Sequence, residues 1–297
     1  MSGSYESANM KINILGKSVE GASHKRAGKE CQDNHKFLEK MGNVVILAAA
    51  DGHGSESCPF SKSGSTIAVN VFCKLMSDYC DKYAKDMETL LAHFDRSGDT
   101  IARAIDKEWK RRVEELHRKN KRKIPQTESG ENDKQGIWRQ YGTTLLGLVI
   151  TPAFYFAFQL GDGDILLLRQ NETESIIKSD KILGTETHSL SRAEAWKKAI
   201  SSVGHIPDET DTFAFMIATD GFSNSYPTEA AFLQSCSDYY AAIREHGITA
   251  VSNNLKSWLD ETSKNGSGDD ITVLFAVVDT FQSRNTKRRL HSNRQLP

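Results

Sequence analysis

A run of seven small and apolar residues, Val44 to Ala50, ends abruptly in the motif Asp51-Gly52-His53-Gly54. Its length and the β-branched residues at its start predict a buried β-strand. A carboxylate at the end of a core strand can face a metal ion, a glycine lets the backbone carbonyl approach the same ion, and a histidine can move a proton. Because Asp-Gly is also the commonest signal of a hairpin turn, this motif alone leaves both interpretations open.

An acidic residue beside glycine recurs at three further predicted strand boundaries. These residues are Asp162, Asp220 and Asp269, and Asp33 is an additional candidate at the end of a basic loop. Like charges repel when they are brought together, so such a cluster would be tolerated only around cations. Oxygen ligands without cysteine or paired histidine favour a hard ion, Mg²⁺ or Mn²⁺, over zinc. The alternative is a set of ordinary Asp-Gly turns that never meet.

The composition restricts the class of protein. The chain has 297 residues, of which 38% are hydrophobic and 26% are charged, as in a soluble globular protein of one large domain or two small ones. A formal net charge of -1 predicts no nucleic-acid or membrane surface. Five cysteines without a Cys-x-x-Cys spacing argue against a disulfide framework and a structural zinc site. With a polar N-terminus and no long apolar run, the chain is expected to be cytoplasmic.

Hydrophobic periodicity predicts the main strands and helices. Strands are predicted at 11–17, 145–150, 154–160, 165–168, 213–219 and 271–278, and helices at 61–83, 100–117, 229–245 and 249–261. The strands at 145–150, 154–160 and 165–168 are interpreted as sequential antiparallel strands, with a tight turn at Gly161-Asp162-Gly163-Asp164 between the last two.

The remaining segments are interpreted as loops and tails. They are a basic loop at 21–33, a mobile surface insertion at 117–136, an irregular segment at 176–208 with a short helical piece around 192–200, and disordered tails at 1–10 and 284–297.

Six motifs, taken in order, resemble those of one known family. They are Gln32-Asp33, Asp51-Gly52-His53-Gly54, Gly142-Thr143-Thr144, Gly161-Asp162-Gly163, Thr219-Asp220-Gly221 and Gly268-Asp269-Asp270-Ile271-Thr272. Together they resemble the metal-dependent protein serine/threonine phosphatases of the PPM (PP2C) family, and His24 with Cys31-Gln32-Asp33 points to the bacterial branch. The resemblance implies an α+β fold, an αββα sandwich of two packed antiparallel sheets flanked by helices, in a domain at 11–281.

The resemblance also implies a role for each acidic motif. Asp51 would bridge two metal ions, and Gly52 would offer its carbonyl to one of them. Asp220 and Asp269 would hold the other ion. Asp33 would ligate the second ion directly or through water, and Asp162 would ligate a weaker third ion. At position 32 the family often has Glu, and at position 270 it usually has Asn, where this chain has Gln and Asp.

The contact to the substrate phosphate departs from the family pattern. Many members have an arginine five residues before the first acidic motif, and Gly28 stands there in this chain. The cation would then come from Lys25, Arg26 or Lys29. We favour Arg26, followed by Lys25, because a guanidinium can hold a phosphate with two N–H groups at once and an ammonium cannot. The segment 176–208 falls where the family carries its variable flap beside the active site.

These roles imply hydrolysis of phosphoserine and phosphothreonine esters in proteins by a water activated between two Mn²⁺ or Mg²⁺ ions. His53 would protonate the leaving alkoxide, while Cys31 and Cys58 would be bystanders. The implied partners are a phosphorylated protein and a cognate serine/threonine kinase, with no nucleic acid and no membrane, and we expect a monomer.

Two other functions stay open at this point. A catalytically weak or inactive phosphatase-like module would bind a phosphoprotein or a regulatory partner, and Gln32 and the missing arginine favour it. The complete set of acidic ligands argues against such a module, because binding does not need it. The other candidate is a two-metal hydrolase of a small phosphate ester.

Overall fold

The computed structural model describes residues 9–178, 188–207 and 212–281. In these residues ten strands form two five-stranded antiparallel sheets. The strands are β1 (Asn9–Val19), β2 (Asn34–Lys40), β3 (Val44–Ala50), β4 (Leu145–Ile150), β5 (Phe154–Leu160), β6 (Asp164–Arg169), β7 (Glu172–Ser175), β8 (Ile200–His205), β9 (Phe213–Ala218) and β10 (Ile271–Phe281). The first sheet has the order β1-β10-β9-β6-β7, and the second has the order β2-β3-β4-β5-β8.

The described helices lie mainly on the outer faces of the two sheets. They are α1 (Ala22–Ala27), α2 (Ser61–Lys82), α3 (Met87–Arg96), α4 (Gly98–Lys119), α5 (Lys134–Arg139), α6 (Asp220–Ser223), α7 (Glu229–His246) and α8 (Ile248–Asn265), with a short 3₁₀ helix at Ala195–Lys198. In the described residues no helix is long and apolar enough to cross a membrane.

Both faces of the central strands are buried, which explains why those strands are apolar throughout. On β3, Val44 and Ile46 pack under α2 and α4, whereas Val45 and Leu47 pack between the two sheets. Strand β10 alternates in the same way, with one face under α7 and α8 and the other between the sheets. The predicted αββα sandwich is therefore confirmed, since each sheet is covered by the other sheet and by helices.

The predicted strands and the four long predicted helices are present with small differences at their ends. Strands β2, β7 and β8 were not predicted, because they lie at sheet edges and carry mostly half-buried or exposed residues. The basic loop contains the helix α1, which ends at Gly28 with a φ of 64°. The predicted tails fall largely on residues 1–8 and 282–297, outside the described residues, and strand β1 already begins at Asn9.

The prediction of three sequential antiparallel strands is wrong at β6. Strand β5 pairs with β4 and β8 in the second sheet, whereas β6 pairs with β7 and β9 in the first. Residues 161–163 therefore cross from one sheet to the other and do not form a hairpin turn. Gly161 has a φ of 115°, which favours glycine, and an added Cβ there would lie 2.6 Å from Cγ2 of Thr144.

The strand registers place the six motifs at one end of the sandwich. In the second sheet Ala50 pairs with Asn34, and Ala49 pairs with Leu146, so Asp51 lies beside the segments that precede β2 and β4. In the first sheet Ala218 pairs with Val273 and with Asp164. The end of β9 therefore lies beside the segments that precede β6 and β10, and the crossover 161–163 joins both groups.

Candidate active site

The backbone of Asp51 is held on both sides by the start of β4. Its N–H donates to the hydroxyl of Thr144 over 2.9 Å. Its carbonyl accepts from the backbone N–H of Thr144 at 2.8 Å and from the hydroxyl of Thr143 at 2.7 Å. Both threonines are buried. The Gly142-Thr143-Thr144 motif thus fixes the position from which the Asp51 carboxylate projects.

Asp33 joins the two sheets at this end of the molecule. The residue is only 5% exposed. Its Oδ2 accepts a hydrogen bond of 2.7 Å from the hydroxyl of Thr219, at the end of β9. The same hydroxyl accepts from the N–H of Thr272 at 2.9 Å, so its own donor is directed to Asp33. Asp33, which directly precedes β2 of the second sheet, is thereby fixed against the end of β9 in the first sheet.

Four carboxylates converge at this point. Burial raises the pKa of the Asp51 carboxyl well above its ordinary value, and the negative charges of Asp33, Asp220 and Asp269 raise it further. Burial is also the main cause that raises the pKa of Asp33. The acidic groups of four separate motifs therefore lie near enough to one another for their charges to interact.

Asp220 and Asp269 approach the cluster from the first sheet. Asp220 is the first residue of α6, and its Oδ2 accepts from the amide of Asn224 at 2.9 Å. Asp269 precedes β10, and its side chain is 52% exposed. Its Oδ1 accepts from the backbone N–H of Asp270 at 2.8 Å, which fixes one of the two carboxylate oxygens.

Asp270 uses both of its carboxylate oxygens to bind the protein backbone. The residue is 3% exposed. Oδ1 accepts from the N–H of Gly21 at 2.6 Å, and Oδ2 accepts from the N–H of Gln32 at 2.7 Å. Nδ1 of His24 lies 2.9 Å from Oδ1. Asp270 therefore holds both ends of the segment that contains α1 against the start of β10.

The backbone at Gly52 lies against the segment before Asp33. An added Cβ at Gly52 would lie 2.7 Å from the carbonyl oxygen of Gln32 and 3.0 Å from the carbonyl carbon of Ser61. Only glycine permits this approach, which brings the Gly52 peptide close to the acids. The role of the Gly52 carbonyl as a metal ligand, which the resemblance implies, stays a prediction.

His53 lines a polar cavity of about 330 Å³. Its backbone N–H donates to the carbonyl of Gly142 over 3.1 Å. Its ring packs on Gly142, where an added Cβ would lie 2.7 Å from the ring carbon Cδ2. The Gly142-Thr143-Thr144 motif therefore positions His53 as well as Asp51, which lies two residues earlier in the chain.

The available donors fit a hard divalent cation. Among the described residues, no group of three or more His, Cys, Asp or Glu side chains is already gathered at metal-binding geometry. Two buried oxygens, Oδ1 of Asp33 and Oε1 of Gln32, nevertheless lack any hydrogen-bond partner. Buried oxygens of this kind need a partner, and the neighbouring acids need positive charge. All of these donors are oxygens, as Mg²⁺ and Mn²⁺ prefer.

The three basic candidates for the substrate phosphate are held differently. Lys25 forms an ion pair of 2.7 Å with Asp260 of α8. Nζ of Lys29 donates to the carbonyl of Gly54 at 3.1 Å, and therefore lies next to the His53 loop. Arg26, on α1, is exposed and has no hydrogen-bond or ion-pair partner within the described part of the chain.

Asp162 lies in the crossover between the sheets. The glycines on either side approach the scaffold of the site, because added Cβ atoms would meet Thr144 at Gly161 and the carbonyl of Ala218 at Gly163. The residues on either side of Asp162 therefore lie next to Thr144, which holds Asp51, and next to Ala218, which lies two residues before Asp220. Its role as a ligand of a third ion stays a prediction.

A family model for protein phosphatase 2C matches residues 20–260 of this chain. The chain belongs to the protein phosphatase 2C family. It is thus a protein serine/threonine phosphatase, as the order of the six motifs predicts. No curated protein sequence matches the chain.

Solved structures of bacterial phosphatases share the fold of this PP2C chain. Serine/threonine phosphatase Stp1 from Staphylococcus aureus aligns with a TM-score of 0.59 and 11% identity, over 95% of this chain and 100% of that one. The S. agalactiae serine/threonine phosphatase has a TM-score of 0.58 and 17% identity, over 91% and 100%. The catalytic domain of PstP, in complex with 2 manganese ions, has a TM-score of 0.54 and 13% identity, over 91% and 99%. At these identities the likeness concerns the fold.

Several residues of the PP2C site were not given a role by the sequence. The hydroxyls of Thr144 and Thr219 hold Asp51 and Asp33, respectively. Both threonines stand inside recognised motifs, so their position was a signal, but the hydrogen-bond partners come from distant parts of the chain. The cavity beside His53, with Arg139 and Arg192 in its wall, had no sequence signal.

Proposed function

We propose that this phosphatase hydrolyses phosphoserine and phosphothreonine esters in proteins with two Mn²⁺ or Mg²⁺ ions, held by Asp33, Asp51, Gly52, Asp220 and Asp269. The observation that carries the proposal is the convergence of four carboxylates around the half-buried Asp51, whose pKa the other three acids raise. Without cations these groups destabilise one another, so the arrangement has a cost that only bound positive charge offsets. The PstP structure, of the same fold, is described as a complex with 2 manganese ions.

When bound, the cations would supply a nucleophilic water at neutral pH and positive charge for the phosphoryl oxygens. The protein's own contribution is orientation. Thr143 and Thr144 hold the backbone of Asp51, and Thr219 directs Asp33. The donors are therefore fixed before the substrate arrives, which lowers the cost of reorganisation during the reaction.

His53 is the proposed general acid. It follows Asp51 by two residues and lines the polar cavity, which can accommodate the leaving part of a substrate. Protonation of the leaving serine or threonine oxygen by a positioned imidazole contributes about 10²- to 10⁴-fold.

For the substrate phosphate we propose Arg26, assisted by Lys29. Lys25 also remains a candidate, but it would have to leave its ion pair with Asp260. Lys29 already lies against Gly54, beside His53. The guanidinium of Arg26 is exposed and can offer two parallel N–H groups to a phosphate. Asp162 is proposed to hold a weaker third ion.

The test is phosphate release from a phosphothreonine peptide, p-nitrophenyl phosphate and a nucleotide, each with Mn²⁺ and with EDTA. We expect release from the peptide and from p-nitrophenyl phosphate with Mn²⁺, none with EDTA, and little from the nucleotide. Asp51→Asn should abolish release, whereas Asp95→Asn, at an exposed acid of α3, should not. No release from any substrate would favour a binding module, and preference for the nucleotide would favour a small-molecule hydrolase.

A further inference from the structure

The cavity beside His53 has a wall that carries two arginines. Arg139 is the last residue of α5, and Arg192 lies before the short 3₁₀ helix. Both side chains are exposed. Within the described part of the chain no carboxylate lines this cavity, and the guanidinium of Arg139 has no ion-pair partner. The described lining of the cavity therefore carries two guanidinium groups and no carboxylate.

The segment that carries Arg192 is fixed against the scaffold of the active site. The N–H of Leu190 donates to the carbonyl of Thr143 at 3.0 Å, and the N–H of Thr143 donates to the hydroxyl of Ser189 at 3.1 Å. Thr143 also holds the carbonyl of Asp51. Thr143 therefore holds both the cavity wall that carries Arg192 and the backbone of Asp51.

The same segment is fixed from its other side by α4 and α5. The buried Lys110 pairs with Asp106 at 2.8 Å and also donates to the carbonyl of Arg192 at 2.9 Å. The amide of Gln135 donates to the carbonyl of Ser191 at 2.7 Å. Because both contacts are to backbone carbonyls, they set the position of the wall from which Arg192 lines the cavity.

We propose that this cavity binds a second anionic group of the phosphoprotein substrate, a phosphoryl or carboxylate side chain close in sequence to the phosphoresidue that is hydrolysed. The inference rests on the proposed function, because it places the reacting phosphate at the acids and the leaving side of the substrate at His53. From there the substrate chain passes over the cavity, where Arg139 and Arg192 meet its next anionic side chain. Arginine suits both groups, since its planar guanidinium pairs with two oxygens at once.

The inference is tested with three phosphothreonine peptides that differ only near the phosphothreonine. One has neutral neighbours, one has a nearby glutamate, and one has a nearby second phosphoserine. For the wild-type enzyme we expect KM to be about tenfold lower for the anionic peptides, which corresponds to one charge-assisted hydrogen bond, and lowest for the doubly phosphorylated one. Arg139→Gln and Arg192→Gln should remove the difference, while p-nitrophenyl phosphate turnover stays unchanged because this substrate has no second anion.

Arg118→Gln, at an exposed position of α4 outside the cavity, is the matched control and should keep the preference. Equal KM values for the three peptides in the wild type, or a preference that persists in both cavity variants, would overturn the inference. So would an equal loss with p-nitrophenyl phosphate, because the arginines would then act on the reacting phosphate.

Peptide binding to the wild-type protein in EDTA, followed by fluorescence anisotropy, gives an answer that does not depend on turnover. Tighter binding of the anionic peptides that is lost in both cavity variants supports the inference even if no substrate is hydrolysed. Equal binding of all three peptides overturns it. A failure of the proposed function is thereby distinguished from a failure of the inference.

Discussion

The carboxylate of Asp270 accepts a hydrogen bond of 2.7 Å from the backbone N–H of Gln32, the residue before the buried acid Asp33. Its other oxygen accepts from Gly21 at 2.6 Å. A carboxylate can satisfy two N–H donors in this way, whereas an amide offers one oxygen and one NH₂ group. The acid at this position thus has a structural role next to the metal ligands.

Asp270→Asn is expected to destabilise the protein, although asparagine is usual in the family. One backbone N–H would face the NH₂ group of the new side chain, and a buried donor without an acceptor costs about 1–3 kcal/mol. Urea unfolding in EDTA measures the loss, with the exposed Asp95→Asn as control. A free energy of unfolding equal to that of the wild type would show that Asp270 does not hold this segment.

Asp51→Asn is expected to stabilise the metal-free protein while it removes activity. Burial and three neighbouring acids raise the pKa of Asp51 in the fold, so folding disfavours its ionised form. The unfolded chain loses this proton at lower pH than the folded one, so wild-type stability in EDTA falls as pH rises above the ordinary aspartate range. The variant, which lacks this ionisable group, should therefore be more stable than the wild type at pH 7 in EDTA.

Thermal unfolding of both proteins in EDTA, from pH 5 to pH 8, checks this expectation. The advantage of the variant should grow with pH, and added Mn²⁺ should stabilise the wild type much more than the variant. A variant that is less stable than the wild type throughout would mean that the acids do not repel one another.

His53→Gln should affect substrates according to how strongly their leaving group needs a proton. A serine or threonine alkoxide needs one far more than nitrophenolate does. Phosphopeptide hydrolysis should fall by about 10²-fold or more, and p-nitrophenyl phosphate hydrolysis much less. Equal losses with both substrates would assign His53 to the orientation of the site.

The substitution Asp162→Asn distinguishes two roles of this residue, a metal ligand and a purely structural residue of the crossover. Asparagine would suit the crossover nearly as well as aspartate, so the melting temperature should not change. A weakly held ion depends on the lost charge, so turnover should fall and more Mn²⁺ should be needed for the remaining activity. Calorimetry and activity against Mn²⁺ concentration check this. Normal turnover with unchanged metal dependence would leave Asp162 with a structural role only.

The central strands could be predicted from the sequence, because burial on both faces makes β3, β4 and β9 apolar throughout and β10 apolar over most of its length. The edge strands β2 and β8 could not, since one side of each lacks a neighbour and polar residues are tolerated there. The sheet to which β6 belongs could not be predicted either, because Gly161-Asp162-Gly163 is compatible with a hairpin turn as well as with a crossover.

In the site, the acids could be found from their motifs, because aspartate beside glycine at a strand end is visible in the sequence. The contacts that position the site could not be predicted. The hydrogen bond between Thr219 and Asp33 joins residues far apart in the chain, and so does the ion pair between Lys25 of α1 and Asp260 of α8. Such pairs are decided by strand register and helix packing, which local patterns do not encode.

The central claim is that the acids around Asp51 hold two divalent cations. Crystals grown with Mn²⁺ and measured at the manganese absorption edge test it directly. We expect two anomalous peaks at this end of the sandwich, both within coordination distance of the Asp51 carboxylate, one beside the Gly52 carbonyl and one beside Asp220 and Asp269. Ordered crystals that contain Mn²⁺ at saturating concentration and show no anomalous peak at Asp51 would contradict the account.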